Sequence, residues 1–154
     1  MVSKFIDGPS LLGYLKQKTL CVEDAVELAA TIADALHHAH LTGCVHRDVK
    51  PANIVVERSG APVLVDFGLA LHARNLGKGP KLVGTVKYMS PEQARGEGHR
   101  VDGRSDIFSL AIVLYELLTQ VLPFRGDDES GVLEAIQLFE PTTPQADQRH
   151  TLCR

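Results

Sequence analysis

Tryptophan is absent from the 154 residues, cysteine occurs three times, and aromatic residues make up only 5% of the chain. With few large rings available, the 44% of hydrophobic positions must build a core from aliphatic side chains. Cys21, Cys44 and Cys153 are odd in number, widely spaced and free of any C-x-x-C pair, which argues against a disulfide framework and fits a reducing, cytoplasmic setting. A large excess of charge of one sign is missing too. A net charge of -3 offers no broad positive field for nucleic-acid phosphates or an anionic membrane surface, so no nucleic-acid partner is expected. Long apolar runs are missing: the stretch from Ile107 to Leu118 is too short to cross a bilayer and contains Glu116. Met1 to Phe5 has no apolar core before a small-residue cleavage site, so no secretory signal is read there.

What remains is a chain of ordinary globular balance, sized for one compact unit. From Val22 to His40 apolar residues recur at Val22, Ala25, Val26, Ala29, Ile32, Ala33, Leu36 and Ala39. That three-and-four spacing predicts a helix with one buried face, capped by Cys21 at its start and stopped by Gly43. The β-branched runs Ile54-Val55-Val56 and Val63-Leu64-Val65 flank Arg58-Ser59-Gly60-Ala61-Pro62 and read as a hairpin. A helix from about Ser105 to Thr119, apolar nearly all round, is expected to be central and buried. A last helix is expected near Ser130, after the acidic run Asp127 to Glu129. The polar end from Glu140 to Arg154 has no clear periodicity, so residues 141–154 are expected to form an irregular tail.

Between the long helix and the hairpin lies His46-Arg47-Asp48-Val49-Lys50-Pro51-Ala52-Asn53, a loop tethered at both ends. Asp66-Phe67-Gly68 leaves the second strand directly, and Ser90-Pro91-Glu92 follows after a long surface segment. Each triplet alone is weak, because short motifs arise by chance, but their order, spacing and strand-loop contexts are separate requirements met together. Read as bare residues, Asp48, Asn53 and Asp66 could be turn formers.

Over about Val2 to Phe139 the chain resembles the protein-kinase superfamily. Lys50, two places after Asp48, resembles the Ser/Thr branch, and Ser90-Pro91-Glu92-Gln93-Ala94-Arg95-Gly96 looks like bacterial members. The resemblance implies an α+β, mainly helical fold: the carboxy-terminal lobe of a kinase over residues 1–140, with a small β-hairpin by the catalytic loop and no amino-terminal lobe. It implies transfer of the ATP γ-phosphate to a protein substrate, with ATP and Mg2+ as cofactors. Asp48 would be the base, Lys50 would offset phosphate charge, Thr85 would brace both, and Asn53 and Asp66 would hold the metal. Lys4, Phe5 and Ile6 look like the hinge that meets adenine, and Val55 like the floor beneath it. Arg47, Gly68, Glu92 and Asp106 take supporting roles, Asp106 as a buried acceptor of catalytic-loop N–H groups and Glu92 as the usual partner of a late arginine.

Departures from the pattern matter as well. The glycine-rich loop, the ATP-gripping lysine and its partner glutamate have no counterpart here, so transfer by these residues alone is expected to be very slow or absent. A rival reading is therefore a non-catalytic module that docks on, or regulates, a complete kinase. Residues Leu69 to Gly84 contain no Ser, Thr or Tyr, so activation by phosphorylation in that stretch is not expected, and Arg47 has a plain structural ion pair as its alternative role. His37, His38, His40 and Cys44 sit close in sequence, but their spacing matches no standard zinc site.

Overall fold

The structure, a computed structural model, describes residues 6–67, 86–138 and 140–141. It is mainly helical with one two-stranded antiparallel sheet.

Helix α1 (Leu11–Leu15) starts where Ser10 Oγ accepts the Gly13 N–H at 3.2 Å. Helix α2 (Val22–Leu41) starts in the expected place, with Cys21 Sγ accepting the Asp24 N–H at 3.4 Å. Cys21 is also disulfide-bonded, which corrects the expectation of a chain without disulfides, while Cys44 is a free thiol. Spacing along the chain says little about which sulfurs meet in space. At the other end of α2, Gly43 (φ 76°) donates to the His40 carbonyl and Cys44 to the Ala39 carbonyl. This left-handed closure satisfies two carbonyls that the helix would otherwise leave without partners. Ala25, Leu28, Ala29, Ile32 and Leu36 form the buried stripe; Val26, placed on that stripe by sequence, is 49% exposed.

Strand β1 (Ile54–Val56) pairs with β2 (Pro62–Leu64), Ile54 opposite Leu64. The second strand begins and ends one residue earlier than its β-branched run. The Val65 N–H still donates to the Asn53 carbonyl at 2.9 Å, but the Val65 carbonyl turns to the imidazole of His46 at 3.0 Å. Ahead of α1, the Val56 N–H donates to the Pro9 carbonyl at 2.9 Å. A Cβ on Gly8 would lie 2.1 Å from the Val56 carbonyl oxygen, so only glycine lets this segment run so close to β1.

After the second described stretch opens with a 3-10 turn at Val86–Tyr88, α3 (Pro91–Ala94) leads to α4 (Gly103–Thr119) and α5 (Glu129–Leu138). Helix α4 is central but not buried all round: Leu110, Ile112, Val113 and Leu117 are covered, whereas Ile107 is 48% exposed and Ala111 faces solvent. The Ala111 methyl therefore meets no crowding. Helices α2 and α4 pack on one another and α2 packs on the hairpin, so Ile32, Leu36, Val49, Ile54, Val113 and Leu117 share one core. A second, smaller core joins Ile112, Phe124, Val132, Ala135 and Ile136. No helix among the described residues is long and apolar enough to cross a membrane.

Candidate active site

The loop from His46 to Asn53 is held from beneath by a residue sixty positions away. Asp106, in the first turn of α4, is fully buried. Its Oδ1 accepts the Arg47 N–H at 2.7 Å, and its Oδ2 accepts the His46 N–H at 2.8 Å and His40 Nε2 at 2.8 Å. A carboxylate can only accept, so His40 carries its proton on Nε2. These three donors offset the cost of burying the Asp106 charge. The same geometry explains Arg47, whose φ of 68° is unusual for a non-glycine residue: the backbone bends there to aim two consecutive N–H groups at one carboxylate.

His46 is also fully buried and locked in one tautomer. Its Nε2 donates to the Val65 carbonyl at 3.0 Å and its Nδ1 accepts the Asp48 N–H at 3.3 Å. The ring packs edge-on against Phe67, with centroids 4.6 Å apart. One side chain thus ties the loop to the exit of β2, where Asp66 stands next in the chain.

Asp48, Lys50 and Asn53 come together as the sequence suggested. Asp48 is 8% exposed, and its Oδ2 meets Lys50 Nζ at 2.7 Å and Asn53 Nδ2 at 2.9 Å. Asn53 Nδ2 also donates to the Asp48 carbonyl at 2.9 Å. Both donor bonds of Asn53 point at Asp48, so its amide oxygen remains an acceptor with no hydrogen bond among the described residues. The Oδ1 oxygen of Asp48 is likewise without a hydrogen bond among them. Asp66 sits one residue beyond the Asn53–Val65 backbone pair, exposed, at φ 68°, with no described group bonded to its carboxylate. Two oxygen donors with open lone pairs, on adjoining backbone, fit the needs of a hard divalent cation that keeps part of its water shell.

Of the other expected residues, Val55 is half-buried at the middle of β1 and Ile6 half-buried ahead of α1. Lys4, Phe5, Gly68 and Thr85 lie outside the described residues. Arg47 makes no ion pair among the described residues, and its Nε is buried without a partner. Glu92, expected to need an arginine, instead accepts a short hydrogen bond from Ser105 Oγ on α4. Partial burial pushes its carboxyl up, but hydrogen bonds, that of Ser105 foremost, outweigh this and hold it below the ordinary glutamate range. Of the histidine-rich stretch, His40 is engaged by Asp106 at 2.8 Å, and among the described residues no group of three or more His, Cys, Asp or Glu side chains converges.

Two residues escaped sequence reasoning. His40 looked like part of a histidine-rich patch, and nothing local marks its pairing with Asp106. Gln93 did carry a signal, the S-x-x-Q capping pattern starting at Ser90. Its Oε1 accepts the Ser90 N–H at 3.0 Å, and its Nε2 donates to the Arg47 carbonyl at 2.8 Å. The peptide just before Asp48 is thereby fastened to α3.

A carboxylate with an open oxygen, an adjacent cation and a further oxygen donor on one pinned loop, with a second carboxylate just past β2, are the parts that phosphoryl transfer requires. A family model, the protein kinase domain, matches residues 1–151, and the chain belongs to that family. It is 40% identical over 147 residues to a probable serine/threonine-protein kinase PknB of Lactococcus lactis, covering 94% of this chain and 23% of that protein. It is 38% identical over 154 residues to the serine/threonine-protein kinase PknB of Mycobacterium leprae, covering 97% and 24%. A probable serine/threonine-protein kinase SCO3848 of Streptomyces coelicolor is 39% identical over 149 residues, covering 94% and 22%. The chain therefore spans about a quarter of the length of these relatives.

Proposed function

We propose that the chain is the carboxy-terminal lobe of a Ser/Thr protein kinase and transfers the γ-phosphate of ATP to protein Ser or Thr hydroxyls when an ATP-gripping upper lobe closes over it. The observation that carries this reading is the division of labour on the Asp48 carboxylate. Oδ2 is committed to Lys50 and Asn53 at 2.7 and 2.9 Å, which leaves Oδ1 as the oxygen that meets the substrate hydroxyl and takes its proton. Fixing one oxygen fixes the plane of the carboxylate, so the acceptor lone pair is aimed before substrate arrives.

Lys50 then holds a positive charge within reach of the transferring phosphate, and its 2.7 Å contact with Asp48 holds the two side chains together. Asn53 Oδ1 and Asp66 are the residues that would hold Mg2+, which supplies charge neutralisation for the phosphates. Ile6 and Val55 would border the base of ATP together with Lys4 and Phe5. Closure of residues 1–140 as one lobe, followed by a tail from 141, completes the proposal.

The test uses the chain joined behind the upper lobe of a PknB-type relative, with radiolabelled ATP and a generic protein substrate. Asp48→Asn is expected to lower kcat by roughly a hundred- to ten-thousandfold with little change in the KM for ATP. Unchanged kcat would remove Asp48 from the base role. Mg-ATP added to the 154-residue chain by itself is expected to shift its melting temperature very little, and a large stabilisation would show that the chain grips nucleotide without help.

A further inference from the structure

The peptide that joins Arg47 to Asp48 is part of the backbone on which the Asp48 carboxylate is mounted, and its two polar groups are held unequally. The Asp48 N–H reaches His46 Nδ1 at 3.3 Å, beyond the usual range of a strong bond, whereas the Arg47 carbonyl accepts Gln93 Nε2 at 2.8 Å. Asp106 does not restrain this peptide directly: its Oδ1 takes the Arg47 N–H, which belongs to the peptide before. Rotation of the 47–48 peptide about its flanking Cα atoms would swing the Cα–Cβ bond of Asp48. The Gln93 bond is the shorter of the two that oppose it. Resistance is needed here, because Arg47 sits at φ 68°, a conformation that a non-glycine residue holds only when its surroundings impose it.

Gln93 is itself fixed. Its Oε1 accepts both the Ser90 N–H at 3.0 Å and the Ser90 hydroxyl at 3.2 Å, and Ser90 is fully buried. Those two donors settle which end of the amide is oxygen, so Nε2 faces the Arg47 carbonyl with N–H groups to give. The helix that carries it, α3, is tied to α4 by the hydrogen bond from Ser105 to Glu92, and to α5 by Gln137 Nε2, which donates to the Ala94 carbonyl at 3.4 Å. One half-buried amide therefore spans from a braced helix to the catalytic loop, 46 positions away in the chain.

Resting on the kinase reading above, we infer that Gln93 is a positioning residue for phosphoryl transfer: it sets the peptide plane from which Asp48 is aimed, and makes that aim depend on α3 being seated against α4. Lys50 and Asn53 orient the Asp48 carboxylate about its own side-chain bonds, but they do not restore a backbone that has turned. A misplacement of about 1 Å at the reacting atoms can cost on the order of a hundredfold in rate. Gln93 also caps α3, and the two roles use opposite ends of one amide: the oxygen caps and the nitrogen positions. They can therefore be separated by substitution.

Gln93→Glu keeps an oxygen for the cap, glutamate being as usual there as glutamine, but once ionised presents no donor to the Arg47 carbonyl. Gln93→Met removes both functions. Ala25→Gly, buried in α2 away from the loop, is the control that lowers only the denaturation midpoint. The transfer assay on the fused chain is run at a temperature where circular dichroism shows each variant folded. Q93E and Q93M are both expected to lower kcat roughly tenfold or more, with the KM for ATP within about twofold, and A25G to keep native kcat. In the 154-residue chain by itself, Q93E is expected to speed deuterium exchange at the Asp48 amide several-fold while the Ala94 amide of α3 exchanges as before. Native kcat in Q93E would show that only the cap matters and overturn the inference; so would native exchange at Asp48, or a loss in A25G equal to that in Q93E. Asp48→Asn tells the two failures apart. Lost turnover there beside native turnover in Q93E removes Gln93 alone, whereas retained turnover in Asp48→Asn removes the kinase reading and this inference with it.

Discussion

Asp48 and Asp66 make an instructive pair. Both are motif aspartates beside the same hairpin, yet one is nearly buried with its Oδ2 doubly engaged, and the other is exposed with no described partner. On the roles proposed above, the contrast has a physical sense: a carboxylate that accepts a proton in one direction gains from having its plane set beforehand, while one that binds a hard cation gains from lone pairs left open. Stability is therefore concentrated under the first aspartate and nearly absent under the second.

The largest effect that could break this comparison lies at Asp106, which carries the loop. Asp106→Ala leaves the buried His46 and Arg47 N–H groups without an acceptor, and is expected to cost roughly 3 to 5 kcal/mol in urea denaturation. A loss below about 1 kcal/mol would mean that the loop is supported elsewhere. Next comes Asp48→Ala, expected to cost roughly 1 to 3 kcal/mol because Lys50 and Asn53 lose a largely buried acceptor. Gln93→Ala, which removes both the cap of α3 and the donor to the Arg47 carbonyl, is expected to cost about 1 to 2 kcal/mol. Its amides at His46 to Asp48 should also exchange faster with deuterium.

Asp66→Asn sharpens the comparison from the other side. It should change the denaturation midpoint by no more than about 0.5 kcal/mol, since nothing described rests on that carboxylate. A cost as large as that of Asp48→Ala would refute the idea that Asp66 is held open. The smallest effect concerns acid. Glu92 has its folded pKa depressed below 4.5, so it contributes stability that is present above that value and is lost as pH falls through the depressed one. Ser105→Ala removes the leading hydrogen bond, so the acid-induced loss below about pH 4.5 should shrink by some tenths of a kcal/mol. An identical pH profile for the variant would show that Ser105 does not set the Glu92 carboxyl.

Much of this was legible along the chain for a definite reason. Helix α2, the hairpin and α4 follow from periodicity, turn residues and caps, all of which act over a few positions. The boundary errors have equally local limits: β2 stops one residue early because the Val65 carbonyl answers His46, nineteen residues away. Val26 and Ile107 are exposed because which part of an apolar surface is covered depends on the neighbours that arrive, not on the helix itself. His40 could not be assigned from its surroundings in sequence, since its partner is 66 residues distant.

The sequence by itself determined the helices, the hairpin, and the order of motifs that marks Asp48, Lys50, Asn53 and Asp66, because propensity, periodicity and motif spacing are written in neighbouring residues. Only the tertiary structure decided that Asp48 is committed at one oxygen and Asp66 at neither among the described residues, and that Asp106 and Gln93 both hold the loop at Arg47. Those outcomes are long-range hydrogen bonds and burial, which exist only once separate segments have packed against one another.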